Sequence, residues 1–180
     1  MPIMPGTREL GPETGSLRIE TKRYGAAAKA GHDLVIEVRS WRATLVIAED
    51  PAENSLVLSA DTGSMEVVEG TGGLMAMTEE DRAEVKKTLE AEVLQPGQVE
   101  FNSTRVTPSD DGQGLRVAGE LSMNGSIHPL DFELEAGPDG AVSGRAAVKQ
   151  SEWGIEPYSG LFGTLKVRDE IEVVGEAALS

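Results

Sequence analysis

The sequence predicts an all-β fold, an antiparallel eight-stranded barrel with one covering α-helix. Three observations point there. Almost every segment alternates apolar and polar residues with period two, the spacing of a half-buried strand. Short clusters of Gly, Asp, Asn and Pro separate these runs, as antiparallel neighbours require. One stretch, near residues 78–94, carries a helical period instead. Periodicity fixes faces and not closure, so a two-sheet sandwich is the alternative architecture.

The elements follow in order. Leu17, Ile19 and Thr21 alternate with Arg18, Glu20 and Lys22. Leu34, Ile36 and Val38 share the apolar face of the next strand, and beyond Ser40 that face passes to Trp41, Ala43, Leu45 and Ile47. One extra residue exchanges the two faces of a strand, so a bulge or sharp bend is expected near Arg39–Ser40. Asp50-Pro-Ala-Glu-Asn is a turn, followed by a strand through Leu56, Leu58 and Ala60. Thr78-Glu-Glu-Asp-Arg opens like a capped helix, with Thr78 as N-cap, acids in the first turn and Asp81 three residues on. Val85, Leu89 and Val93 form its single apolar stripe, and Pro96-Gly97 stops it. A helix of about four turns is expected to lie over an opening or edge of the sheet.

Strands then resume. Val99, Phe101 and Ser103 share a face, and Leu115, Val117, Gly119, Leu121 and Met123 give the cleanest alternation in the chain. Asn124-Gly125 predicts a type I′ hairpin turn into His128, Leu130, Phe132 and Leu134. Val142, Gly144, Ala146 and Val148 form another strand, whose small residues leave room inside. Leu165, Val167, Ile171 and Val173 are expected to make one final strand. Residues 1–13 are expected to be loosely ordered, with a single domain over 14–178.

The 180 residues suit one domain. With 16 Lys and Arg against 31 Asp and Glu, the net charge is −15. That charge weighs against nucleic-acid binding and against docking on an anionic membrane. The chain has no cysteine and only two histidines, so disulfides and thiolate or multi-histidine metal centres are not expected. No apolar run approaches the roughly 20 residues that span a bilayer, and the first residues lack a signal-peptide pattern, so a cytoplasmic location without stable membrane insertion is expected. No catalytic or nucleotide-binding fingerprint occurs; no enzyme and no cofactor are expected.

The residues also resemble a known family. Gly31-His-Asp-Leu-Val-Ile-Glu-Val-Arg-Ser-Trp is similar to the opening motif of YceI-like proteins. Asp81-Arg82, the helix to Val93-Leu94, and Val99-Glu-Phe-Asn-Ser-Thr resemble their central signature. Gly119-Glu-Leu-Ser-Met-Asn-Gly-Ser-Ile-His-Pro-Leu resembles their hairpin. Ser151-Glu-Trp-Gly-Ile-Glu-Pro-Tyr-Ser followed by Leu165-Lys-Val-Arg-Asp-Glu-Ile resembles their ending. The resemblance implies a lipocalin-like barrel with a hydrophobic tunnel, binding of an isoprenoid-like lipid or other long-chain amphiphile, and homodimers.

The expected tunnel wall is Leu34, Ile36, Val38, Trp41, Phe101, Leu121, Met123, Phe132 and Val148, whose alternation points one way. The same side chains would equally fill a solid core, since an eight-stranded barrel is wide enough for either. His32 and the Tyr158 hydroxyl are candidates to hold a head group at the mouth. Against that, His32 reads as a turn histidine bonded to local backbone, and His128 as a buried polar anchor or a strand-end residue. The loop 151–163 concentrates Trp153, Tyr158 and Phe162, and reads as a lid, a partner surface or a plug over one barrel end. A binding protein for a long apolar molecule is the leading expectation. The alternative is a solid-core interaction module that meets a protein partner through its surface or that loop.

Overall fold

The computed structural model describes residues 3–73, 75–160 and 165–179. Eleven strands form one sheet. In spatial order they are β1 (Gly6–Leu10), β5 (Trp41–Ile47), β6 (Ser55–Asp61), β8 (Gln98–Pro108), β9 (Gly114–Met123), β10 (Ser126–Ala136), β11 (Ala141–Lys149), β14 (Glu170–Ala178), β2 (Gly15–Glu20), β4 (Asp33–Val38) and β7 (Met65–Thr71). A smaller sheet orders β12 (Ser159–Gly160), β13 (Leu165–Val167) and β3 (Arg23–Tyr24). All pairings are antiparallel, such as Val173 with Ile19 and Phe101 with Leu121.

The chain itself joins the two ends of the large sheet. β4 runs into β5 through Arg39–Ser40, and β6 into β7 through Thr62–Ser64. Val38 pairs with Met65 and Trp41 with Ala60, so the four strands are one long bent ribbon. At the bend the Arg39 N–H donates to the Ser64 carbonyl at 3.2 Å and the Ser40 N–H to Ser64 Oγ at 2.9 Å. Arg39 and Ser40 are both exposed while Val38 and Trp41 are buried, which is the expected exchange of faces. The result is a curled, half-barrel, lipocalin-like sheet.

Three expectations need correction. The sheet has eleven strands rather than eight, partly because the bent ribbon contributes four separate elements. Residues 1–13 are not all loose: β1 pairs along β5 from Gly6 opposite Ile47 to Leu10 opposite Ala43, and Leu10 is buried. The final strand is two. Asp169 interrupts it, accepting from the Ser151 N–H (2.8 Å) and hydroxyl, while its carbonyl takes the Gln150 N–H at 3.0 Å. β13 then joins the small sheet and β14 the large one.

The helix forms as its residues dictate. Thr78 Oγ1 accepts from the Asp81 N–H at 3.1 Å, and Asp81 Oδ2 accepts from the Thr78 N–H at 2.9 Å. This reciprocal capping box satisfies two backbone donors at the start of α1 (Glu79–Thr88). A π-helical turn, Leu89–Val93, continues it. Val85, Leu89 and Val93 are half-buried against the sheet, and Lys86 Nζ is tied to Glu66 Oε1 of β7 at 2.7 Å. The Asn124–Gly125 turn also forms, with φ of 53° and 75°, the positive pair a type I′ turn requires.

Candidate functional site

Cross-strand register shows which side chains turn inward. Ile19, Val173 and Ala146 are successive neighbours across β2, β14 and β11. Leu130, Phe132 and Leu134 of β10 face inward opposite Gly119, Val117 and Leu115 of β9. In a filled interior all of these would be as covered as Val117 (0% exposed) or Leu45 (1%). Instead Ile19, Leu34, Leu130, Phe132, Leu134, Ile171 and Val173 are only half-buried. Their uncovered surface faces an internal space of about 760 Å³, which they line.

All nine apolar residues expected on the wall line this space, and so do His32 and Tyr158. Two small residues do not make it hollow. A Cβ on Gly119 would stand 2.5 Å from Cζ of Phe101, and one on Gly144 would stand 2.6 Å from Cδ2 of Leu134. Larger neighbours already occupy both gaps. Sequence reasoning missed the helix as part of the wall. Val85, Leu89 and Val93 line the cavity together with Asp81, Glu84 and Thr88, although their stripe reads equally as simple packing.

A cover of short elements lies at the ends of β2, β4, β7, β11 and β14 that are neighbours in the sheet. It comprises the single 3-10 turns Ala28–Ala30 and Gln150–Trp153 and the small sheet. The helix α1 starts beside this end and runs along β7, with Lys86 reaching Glu66 and the Gly63 carbonyl at the far end of that strand. Polar groups gather at the cover and are mostly satisfied. Arg23 reaches the cavity, but its guanidinium lies 2.9 Å from Asp33 Oδ1 and donates to the Ala28 and Thr71 carbonyls at 2.6 and 3.3 Å. His32 Nε2 is 2.8 Å from the Met75 carbonyl, which makes it a backbone-bonded turn histidine that also borders the cavity. The Thr78 N–H and hydroxyl hold the Asp81 carboxyl below the usual carboxylate range. The Tyr158 hydroxyl, by contrast, has no hydrogen-bond partner among the described residues.

Trp153 is a plug. It is 1% exposed, its Nε1–H donates to the Leu121 carbonyl at 2.8 Å, and its ring meets His128 edge-on at 5.5 Å. It packs where the sheet is locally open. The β10–β11 ladder begins only at Glu133, and Pro129 upstream has no N–H to offer. His128 thus supports Trp153 and does not line the cavity. Phe162 lies outside the described residues. Among the described residues no cluster of metal-ligating side chains occurs, and no helix is long and apolar enough to cross a membrane.

A curled antiparallel sheet around one apolar space, covered by a helix and short turns, defines a lipocalin-like class of fold. Within that class the chain belongs to the YceI-like domain family, which matches residues 12–179. The crystal structure of Burkholderia cenocepacia BcnA is similar at a TM-score of 0.65 and 13% identity, over 90% of this chain and 94% of that one. A Campylobacter jejuni YceI protein is similar at a TM-score of 0.46 and 13% identity, over 67% of this chain and 70% of that one. No curated protein matches the chain in sequence.

Proposed function

We propose that this protein sequesters one long-chain apolar or isoprenoid-like lipid inside the curled sheet and performs no chemistry on it. The observation that carries this reading is the half-exposed inner face of β10 and β14 around about 760 Å³ of apolar space. At about 30 Å³ per water, such a space would hold on the order of 25 waters. Few polar groups line it to bond them, so replacing that water by hydrocarbon is favourable. Burying ten methylenes at about 0.8 kcal/mol each gives roughly 8 kcal/mol before ordering costs. The Tyr158 hydroxyl, unbonded among the described residues, is the group best placed to bond a polar head. The competing reading, a solid-core module that binds a protein partner, needs a filled interior, and the half-buried inner faces weigh against it.

The test pairs Phe132→Asp with Glu133→Lys, inward and outward neighbours on β10, under native mass spectrometry and lipid displacement. Phe132→Asp should abolish lipid uptake while Glu133→Lys retains it. An apo mass for the wild type after incubation with long-chain lipids, with Phe132→Asp unfolding the protein, would make the interior a packed core and end this reading.

A further inference from the structure

The small sheet in the cover has two unlike faces. Val167 pairs with Arg23 and Lys166 with Tyr24, and successive strand residues point to opposite sides. Arg23 and Val167 line the cavity. Tyr24 and Lys166 therefore face outward, and so do Lys22 and Arg168, two positions along the same two segments. Arg168 stays in register through its N–H, which donates to the Lys22 carbonyl at 2.8 Å. The Arg168 guanidinium carbon lies 5.6 Å from the Tyr24 ring centroid and Lys166 Nζ lies 5.9 Å from it. Tyr24 itself is 41% exposed.

This grouping runs against the composition. Acids outnumber bases 31 to 16, yet neither Lys166 nor Arg168 has a carboxylate partner among the described residues. Of the nearby carboxylates, Asp33 is shared between Arg23 at 2.9 Å and Lys22 at 3.9 Å, and Asp169 accepts from the Ser151 N–H at 2.8 Å, so neither pairs with Lys166 or Arg168. Two unpaired cations on an exposed tyrosine make a surface suited to a membrane interface, where basic side chains meet anionic head groups and an amphipathic ring sits at their level.

We infer that the outward face of this cover docks reversibly on an anionic lipid bilayer, so that the covered end of the cavity is the part that meets the membrane. The net charge of −15 opposes approach of the molecule as a whole. At physiological salt, however, charges more than about 8 Å away are largely screened, so the local patch governs contact. Each basic residue at an anionic surface adds about a fivefold factor to partitioning, which gives weak and salt-sensitive binding. Docking would hold whatever occupies the cavity, and its failure would leave the carrier reading to its own test.

The full chain is sedimented with vesicles of phosphatidylcholine alone and with vesicles also containing phosphatidylglycerol, at low and high salt. Binding is expected only to the anionic vesicles and only at low salt. Lys166→Glu with Arg168→Glu should lower it at least about tenfold, and Lys166→Gln with Arg168→Gln should lower it partially. Arg39→Glu with Arg105→Glu, the same change in net charge elsewhere, should leave it in place, with thermal melts confirming that every variant is folded. No binding to anionic vesicles, equal binding to neutral ones, or equal loss in the two charge-reversed pairs would overturn the inference. So would release by inorganic phosphate well beyond that by chloride at matched ionic strength, which would mark a discrete phosphate site instead.

Discussion

The Phe101 and Phe132 rings meet at 5.3 Å between centroids with a 53° tilt, from strands on either side of β9. Gly119, on the strand between them, makes that meeting feasible. It pairs with Ser103 on one side and Leu130 on the other, and its missing side chain is the space into which the Phe101 ring projects.

Gly119→Ala should therefore be costly. Its Cβ would stand 2.5 Å from both the Phe101 ring and the Asn102 carbonyl oxygen, and the backbone oxygen cannot swing away. Overpacking of this kind costs about 1–3 kcal/mol, a fall of several degrees in Tm for a chain this long. Thermal melting checks it. A wild-type Tm would mean that the ring does not occupy that space.

Trp153→Phe keeps most of the plug but deletes the indole N–H that bonds the Leu121 carbonyl at 2.8 Å. Leaving a buried acceptor without its donor costs about 1–3 kcal/mol. Chemical denaturation should show that loss. Because Trp153 does not line the cavity, lipid uptake measured by native mass spectrometry should be unchanged under folding conditions.

The helix cap has a pH dependence of defined sign. Bonding to Thr78 lowers the Asp81 pKa in the folded chain. The cap's contribution is therefore complete above the unfolded carboxylate value of about 3.9 and is lost as pH falls through the lower folded value. NMR secondary shifts of Glu79–Arg82 should lose helical character below about pH 4. In Asp81→Asn that titration should vanish, and persistence of an identical titration there would assign the effect to Glu79 or Glu80.

Local chemistry made much of this fold legible. Thr78 with Asp81, Asn124 with Gly125, and the exchange of faces between Val38 and Trp41 each encode a geometry within a few residues. β7 was not anticipated: Met65 and Val67 flank Glu66, but the apolar Val68 breaks the alternation. Neither was β1: Thr7-Arg-Glu-Leu carries little pattern, and its partners, Ala43 to Val46, lie more than thirty residues away. β3, β12 and β13 are two or three residues long, too short to show a period. The wall residues were legible because alternation fixes a face, but hollowness was not. Phe132 and Val117 are both apolar, inward and directly paired, yet Val117 is sealed while Phe132 is half-covered.

That contrast supplies a direct test of the interior. Val173 turns inward between Ile19 and Ala146 and borders the open space, whereas Val117 is 0% exposed within the packed region. Enlarging either side chain to Phe adds the same atoms. At Val117 they have nowhere to go, and the cost should be about 1–3 kcal/mol or more. At Val173 they enter the cavity, cover apolar neighbours that are now exposed, and should change stability by less than about 1 kcal/mol. The same ring takes volume from a guest, so Val173→Phe should bind less long-chain lipid, or favour shorter chains, in native mass spectra. Equal destabilisation by the two substitutions in chemical denaturation would mean that the space closes in solution, and a cavity lipid would then have to open it.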